Sequence, residues 1–150
     1  QKRLNDSGKT FPACGAAIEL REGTIVTGKN NALMSASSSC VLNAIKTLAE
    51  IPQRIDLLPA SILENIATMK KNILSLRQSV LDLQETLIAL SISAASNPTA
   101  SIAMEQLKNL AECDMHLTHV PAPGDEVGLR KLKVYLTTDG LFPTKDLNIS

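Results

Sequence analysis

Residues 24–50 read TIVTGKNNALMSASSSCVLNAIKTLAE and decide the fold of this chain. The pattern predicts a short strand at 24–27, a loop at 28–31 and a serine-rich start, 35–39, to a long amphipathic helix. The first turn of a helix leaves backbone N–H groups without helical partners and carries partial positive charge. We therefore expect the binding site of the protein in this stretch.

The composition is that of a globular domain without a strong charge. Hydrophobic residues make up 44% of the 150 residues and charged residues 20%, and fifteen basic residues balance fifteen acidic ones. This neutrality, together with only three aromatic residues (Tyr135, Phe11 and Phe142), argues against a nucleic-acid partner or an anionic membrane. No apolar run is long enough to span a membrane.

The three cysteines, Cys14, Cys40 and Cys113, are odd in number and widely spaced, which is typical of reduced thiols in a cytoplasmic protein. The chain begins Gln1-Lys2-Arg3, without a methionine or a signal-peptide pattern. We expect a fragment of a longer cytoplasmic protein. Residues 1–12 are predicted to be a linker or tail from a missing N-terminal part, 13–140 a single domain and 141–150 a C-terminal tail.

Along the rest of the chain, strand and helix patterns alternate in the order β-β-α-(β)-α-α-α-β-α-β. The bracketed piece, 54–58, is either a strand or a connector. Helix starts are predicted from capping patterns at Ser61 with Glu64, at Asp82 with Glu85 and at 97–98, which is Asn-Pro.

This order favours an α/β fold, a three-layer α-β-α sandwich with a mixed sheet in which an N-terminal hairpin supplies antiparallel strands. The segment 87–95 is apolar almost all round its helical circumference. We therefore predict that this helix is buried on most sides.

Several segments resemble the C-terminal domain of a large bacterial family, the domain-of-unknown-function 1846 family. The resemblance covers nearly the whole chain, and it is carried by the segments 26–29, 37–38, 42–44, 82–99 and 104–107, with 125–126, 130–132 and 136–137 also fitting. Members of that family are much longer, and their N-terminal part has a nucleotide-binding look that includes a glycine-rich loop. The resemblance implies a missing partner domain and brings no established reaction.

The order of elements is also similar to the cytidine deaminase fold. In that family a His or Cys followed by Ala-Glu begins one helix, and Pro-Cys-x-x-Cys begins a later one. Set against these motifs, Ser39 falls at a zinc ligand, Val41 at the glutamate, and Thr99 and Ile102 at the two cysteines. Deamination needs three zinc ligands and the carboxylate, so the resemblance implies this topology without the zinc chemistry.

The predicted site is an anion pocket at the loop and helix start, holding phosphate or a nucleotide, with no cofactor beyond such a ligand. The alternative is an ordinary N-cap with small residues that allow close packing. Seven residues form the predicted anion or ligand site: Gly28, Lys29, Asn30, Asn31, Ser35, Ser37 and Ser38.

A metal site at Cys113, His116 and His119 is disfavoured, because alternation along a strand directs His116 to the face opposite the other two. No metal is expected. His116 remains a candidate for the lining of a cleft if the strand ends at the site, where an imidazole is suited to proton transfer.

The sequence thus predicts an assembly or ligand-binding module that docks against the missing N-terminal part and forms a homo-oligomer. The rival hypothesis is an enzyme active site shared between domains. In that hypothesis this chain donates Lys29, Asn31, Ser38 and His116.

Overall fold

The computed structural model of the chain describes residues 15–76 and 80–139. Its strands are β1 (Gly15–Glu19), β2 (Ile25–Lys29), β3 (Asp114–Leu117) and β4 (Tyr135–Thr138). They form one sheet of order β2-β1-β3-β4, in which β1 is antiparallel to β2 and to β3, while β3 and β4 are parallel. The carboxyl ends of β2, β3 and β4 therefore lie at one edge of the sheet, together with the amino end of β1.

Within the described residues, five α-helices and one 3₁₀ helix accompany the sheet: α1 (Ala36–Leu48), α2 (Ala60–Asn72), α3 (Leu83–Ala94), α4 (Pro98–Met104), the 3₁₀ helix Glu105–Leu110, and α5 (Pro123–Lys131). The α/β class and the mixed sheet predicted from the sequence are confirmed. The deaminase-like topology and the domain boundaries stay predictions, and the predicted linker at 1–12 and tail at 141–150 lie outside the described residues.

The helices pack against one face of the sheet. Ile18, Val26 and Met115 point to that side and are buried in a single hydrophobic core. The alternate positions of the same strands, such as Glu19 and Asp114, are exposed. Within the described residues, one layer of helices thus covers the sheet. The second helical layer of the predicted α-β-α sandwich is not found among these residues.

Helix α1 lies unusually close to β2, and Gly28 makes this approach possible. A Cβ atom at Gly28 would lie 2.3 Å from the backbone nitrogen of Cys40. A hydrogen bond also links the two elements, since Asn43 Nδ2 donates to the Thr27 carbonyl at 3.0 Å. Gly28 and Lys29, predicted to open a loop, instead extend β2, since they pair with β1.

Two of the predicted helix caps are confirmed. Asp82 and Glu85 form a reciprocal capping box at the start of α3, and Asn97 caps α4 through its side chain. The capping box predicted at Ser61 and Glu64 is wrong. Helix α2 begins at residue 60, directly after a proline, so Ser61 already lies inside the first turn and cannot accept the bonds of an N-cap.

The prediction that the segment 87–95 is buried on most sides is also wrong. Ala89 and Leu90 are fully buried, but Ile88 and Ile92 are 59% and 55% exposed. Helix α3 packs against its neighbours with one side only, and the apolar residues on the other side remain in water. The ambiguous segment 54–58 is a connector, not a strand.

Candidate functional site

A cleft of about 970 Å³ opens at the edge of the sheet where β2 and β3 end. Its walls come from the amino end of β1, the loop between β2 and α1, one side of α1 and the connector before α2. The volume lies within the range of about 300–1,000 Å³ that is typical of small-molecule pockets. The carboxyl ends of strands are also where α/β sheets usually bind their ligands.

The loop at the cleft is held rigid by one side chain, Asn31. Its Oδ1 accepts from the backbone nitrogens of Leu33 at 2.8 Å and Met34 at 2.9 Å, which closes a tight Asx turn. Lys29 stands beside this turn at the end of β2, exposed and without an ion pair or hydrogen bond among the described residues. Its ammonium is therefore free to meet an anion in the cleft.

A second lysine, Lys46, lines the cleft from α1 and is only 6% exposed. Its Nζ donates to the carbonyls of Gln53 and Ile55, each at 2.9 Å, which fixes the connector over the helix. Burial lowers the pKa of Lys46, and the nearby charge of Asp56 acts in the opposite direction. An ammonium has three donors, so these two bonds leave one N–H for a further partner.

Sequence reasoning missed Lys46. The residue falls within the amphipathic helix that the sequence predicts, where a lysine ordinarily reaches out to water. The carbonyls that hold it come from a connector without a regular pattern. No signal in the sequence predicts that these groups converge.

His116 borders the cleft from β3, and its two ring nitrogens are both engaged. Its Nδ1 lies 2.7 Å from Thr137 Oγ1, and its Nε2 lies 2.7 Å from Asp139 Oδ1. The His116 and Asp139 side chains are each about half exposed. The ring is thus oriented by its neighbours, and one of these bonds must open before that nitrogen can exchange a proton with a ligand.

The serine-rich start of α1 turns away from the cleft and into the protein. Thr86 Oγ1 donates to Ser38 Oγ at 3.0 Å, Ser38 and Ser35 hydroxyls lie 2.9 Å apart, and Ser35 Oγ donates to Asp125 Oδ1 at 2.9 Å. The Ser35 hydroxyl also accepts from the backbone nitrogen of Ser38 as the N-cap of α1. The hydroxyls therefore form one chain of hydrogen bonds that ends on a carboxylate.

The carboxylate of Asp125 accepts hydrogen bonds from the starts of two other helices, α1 and α3. It lies in the first turn of α5, it accepts from Ser35 at the start of α1, and it accepts from the backbone nitrogen of Leu83, the first residue of α3, at 2.8 Å. Burial raises the pKa of Asp125 to about 6, although the hydrogen bonds from Leu83 and Ser35 act in the opposite direction. The domain itself thus supplies a negative group at the start of α1.

The structure separates the predicted site residues into two groups. Gly28, Lys29, Asn31 and His116 border the cleft, and Ser39 joins them from the serine run. The remaining predicted residues do not line it: Asn30 and Ser35 are half-buried, and Ser37 and Ser38 are fully buried. Within the described residues, the Ser37 hydroxyl is buried without a hydrogen-bond partner.

His116 on β3 and the flanking residues Cys113 and His119 are arranged as strand alternation predicts. His116 is exposed, whereas Cys113 and His119 are buried. Across residues 15–76 and 80–139, no three His, Cys, Asp or Glu side chains are grouped closely enough to hold a metal ion. The thiol of Cys40 is buried between α1 and β2, and burial raises its pKa to about 12.

Among the residues that the structure describes, no helix has the length and apolar character needed to cross a membrane.

Comparison with known proteins finds relatives that are much longer than this chain. It is 42% identical over 143 residues to a UPF0371 protein of Fusobacterium nucleatum, an alignment that covers 95% of this chain and 28% of the relative. It is 41% identical over 145 residues to a UPF0371 protein of Corynebacterium glutamicum, with 97% and 29% covered. A UPF0371 protein of Corynebacterium diphtheriae is 44% identical over 133 residues, with 89% and 27% covered.

The chain thus spans less than a third of the length of these curated relatives. Residues 1–148 match the family described as "Domain of unknown function DUF1846, C-terminal". The chain belongs to this uncharacterised bacterial family and constitutes its C-terminal domain.

Proposed function

We propose that this domain is a ligand-binding and assembly module of a larger cytoplasmic protein, and that its cleft holds a small ligand with a phosphate or other anionic group. The observation that carries the proposal is the convergence of Lys29 and Lys46 on one cleft at the carboxyl ends of strands. The nucleotide or phosphate predicted from the sequence is the ligand class that suits this charge.

The cleft offers both charge and specific hydrogen bonds. Lys29 supplies an exposed ammonium without a partner among the described residues, while Lys46 supplies a fixed one at the wall. Asn43 and Gln53 contribute amide groups to the lining, and Asp56 contributes one carboxylate. A ligand with an anionic end for the lysines and hydroxyl or amine donors for Asp56 matches this set of groups.

The start of α1 contributes through its outer side only. Asn31 and Ser39 lie at the cleft, with Asn31 Nδ2 donating to Ser39 Oγ at 3.5 Å, which is a long and weak bond. Asn31 Nδ2 and the Ser39 hydroxyl can therefore exchange this bond for one to a ligand at little cost, while Asn31 Oδ1 keeps its two backbone bonds. Ser35 and Ser38, in contrast, support the site indirectly by fixing the first turn of the helix.

A thermal-shift screen against inorganic phosphate, sulfate and common nucleotides, at low and moderate salt, tests the binding half of the proposal. We expect a saturable rise in Tm with one of these ligands that is lost in Lys29→Ala and kept in Lys108→Ala, a matched exposed lysine outside the cleft. Equal loss in both variants, or no rise with any ligand at low salt, would contradict the proposal.

For the assembly half, we propose contacts with the rest of the longer protein and with further copies of it. Size-exclusion chromatography with light scattering on the full-length protein tests the homo-oligomer. A monomer at all concentrations would overturn that part while leaving ligand binding intact.

The position of His116 supports a second candidate, an active site shared with the preceding part of the protein. The imidazole lies at the cleft rim, and the Asp139 carboxylate orients it, an arrangement that suits proton transfer once Nδ1 or Nε2 is released. In the full-length protein, His116→Ala and Lys29→Ala would then both abolish turnover. Retained turnover in either variant would exclude this candidate and leave binding alone.

A further inference from the structure

One face of the sheet carries no helix within the described residues. The side chains on this face form rows across the strands, which follow from the pairing register. The row nearest the cleft contains Lys29 and Gly15, the middle row includes His116, and the far row consists of Ile25, Glu19, Asp114 and Tyr135. We call this surface the open face.

The open face exposes large apolar side chains at both of its edges. Ile25 on β2 and Tyr135 on β4 are each 59% exposed. Both side chains lie on the outer strands of the sheet, where no other described element covers them. Large exposed apolar side chains on a face rimmed by polar residues are candidates for contact with a further part of the protein.

The middle of the far row holds two carboxylates that face each other. Glu19 and Asp114 are direct partners across β1 and β3, and both are exposed. Like charges directly opposite on neighbouring strands destabilise the pairing. Neither carboxylate forms an ion pair among the described residues, so a cationic group from a covering layer would relieve the repulsion.

The chain reaches the open face from its N-terminal side. Gly15 begins β1 at the cleft edge, where its backbone nitrogen donates to Thr118 Oγ1 at 2.9 Å. This chain covers less than a third of the length of its relatives. The region that it matches is their C-terminal domain. In these relatives most of the remaining chain therefore precedes β1, the strand at the centre of the open face beside β3.

From these observations we infer that the part of the longer protein that precedes this domain packs on the open face, as the layer that covers the sheet and walls one side of the cleft. Its contacting surface carries a basic side chain opposite Glu19 and Asp114 and apolar groups against Ile25 and Tyr135. This inference deepens the assembly half of the proposed function, and it holds whether or not a ligand occupies the cleft.

Other exposed apolar residues lie in the helical layer, on the opposite side of the sheet. Ile73 at the end of α2 and Ile88 on α3 are 74% and 59% exposed. They provide internal controls, because Ile25 and Ile88 share both residue type and exposed fraction. A partner that covers the open face shields Ile25 without shielding either control.

Hydroxyl-radical footprinting of the full-length protein, read by mass spectrometry, tests the inference directly. We expect Ile25 to be oxidised several-fold more slowly than Ile73 and Ile88, and Tyr135 to be protected as well, independently of protein concentration. Oxidation of Ile25 as fast as that of Ile73 would overturn the inference. Protection that appears only at high protein concentration would also overturn it, because the occupant would then be a second copy.

A pair of matched variants separates docking from folding. In the full-length protein, Ile25→Glu is expected to increase proteolytic cleavage between the two parts several-fold, whereas Ile88→Glu leaves cleavage unchanged. Both substitutions replace an exposed isoleucine, so neither removes a core contact. Equal cleavage of the two variants would contradict docking on the open face, while a thermal-shift response to phosphate or nucleotide would remain unaffected by that result.

Discussion

The start of α1 and the rim of the cleft are built from neighbouring residues, yet their polar groups have opposite roles. At the start of α1, the hydroxyls of Ser35 and Ser38 are bonded within the protein and lead to the buried carboxylate of Asp125. At the rim, Lys29 has no partner among the described residues. A few residues of chain thus separate a polar cluster that stabilises the fold from polar groups that are open to a ligand.

The difference shows that residue types alone do not reveal what the polar groups of a helix start bind. Their partner is either an anionic ligand or a carboxylate of the protein itself. A helix start rich in serines is suited to phosphate, but here the Ser35 hydroxyl accepts from the backbone nitrogen of Ser38 and itself donates to a carboxylate from another helix. Which of the two occurs depends on a contact between Ser35 and Asp125, which are 90 residues apart in sequence. If the comparison is right, substitutions in the first region change stability and those in the second change binding.

The largest effect is expected for Asp125→Ala. The substitution leaves the buried backbone nitrogen of Leu83 and the hydroxyl of Ser35 without their acceptor. The free energy of unfolding should fall by about 4 kcal/mol, because each buried donor left unpaired costs about 1–3 kcal/mol. The exposed Asp114→Ala is the control, and urea unfolding of both variants measures the difference. Similar losses in the two would refute the view that Asp125 organises the helix starts.

A smaller loss is expected for Gly28→Ala, which tests the contact that brings α1 to the cleft. The added methyl group would collide with the backbone of α1 at Cys40. Overpacking of this kind costs about 3 kcal/mol or less. Gly15→Ala on the adjacent strand is the matched control, since its nearest neighbour would lie at 3.8 Å, an ordinary contact distance. An unchanged Tm for Gly28→Ala would show that α1 lies further from β2.

The titration of Asp125 predicts a third effect, on the pH dependence of stability. Folding raises its pKa from 3.8 to about 6, so between these pH values the folded state holds more protons than the unfolded state. Its contribution to stability is therefore fully present below pH 3.8 and is lost as the pH rises through 6, by about 3 kcal/mol at most.

The pH effect is measured as the difference in unfolding free energy between the native protein and Asp125→Asn across pH 4 to 7. The contributions of the other titrating groups cancel in this difference. The native protein should lose stability relative to the variant as the pH rises. A difference that is constant, or that changes in the other direction, would mean that Asp125 ionises as easily in the folded state as in the unfolded one.

Much of the local structure could be predicted because it depends on neighbouring residues. The capping box at Asp82 and Glu85 and the Asn97 cap each involve residues three or fewer apart, and both were predicted correctly. The failed capping box at Ser61 shows the limit of such patterns, since the proline before residue 60 sets the start of α2. The α/β class followed from the order of the elements.

Only some of the residues that line the cleft could be predicted from the sequence. Lys29 and Asn31 were identified because they follow a strand and precede a helix, which is local information. Lys46 was missed because its partners are the carbonyls of an irregular connector. The exposure of Ile88 was missed because apolar character alone does not show which side of a helix another layer covers.

The most direct test of the central claim compares Lys29→Ala with Ser38→Ala in one thermal-shift titration with phosphate or the nucleotide that binds best. If the ligand binds in the cleft, Lys29→Ala keeps the ligand-free Tm, because an exposed lysine without partners among the described residues contributes less than about 0.5 kcal/mol, but loses the rise caused by the ligand. Ser38→Ala then lowers the ligand-free Tm and keeps that rise. The reverse pattern would make the serine start of α1 the binding site instead of the cleft.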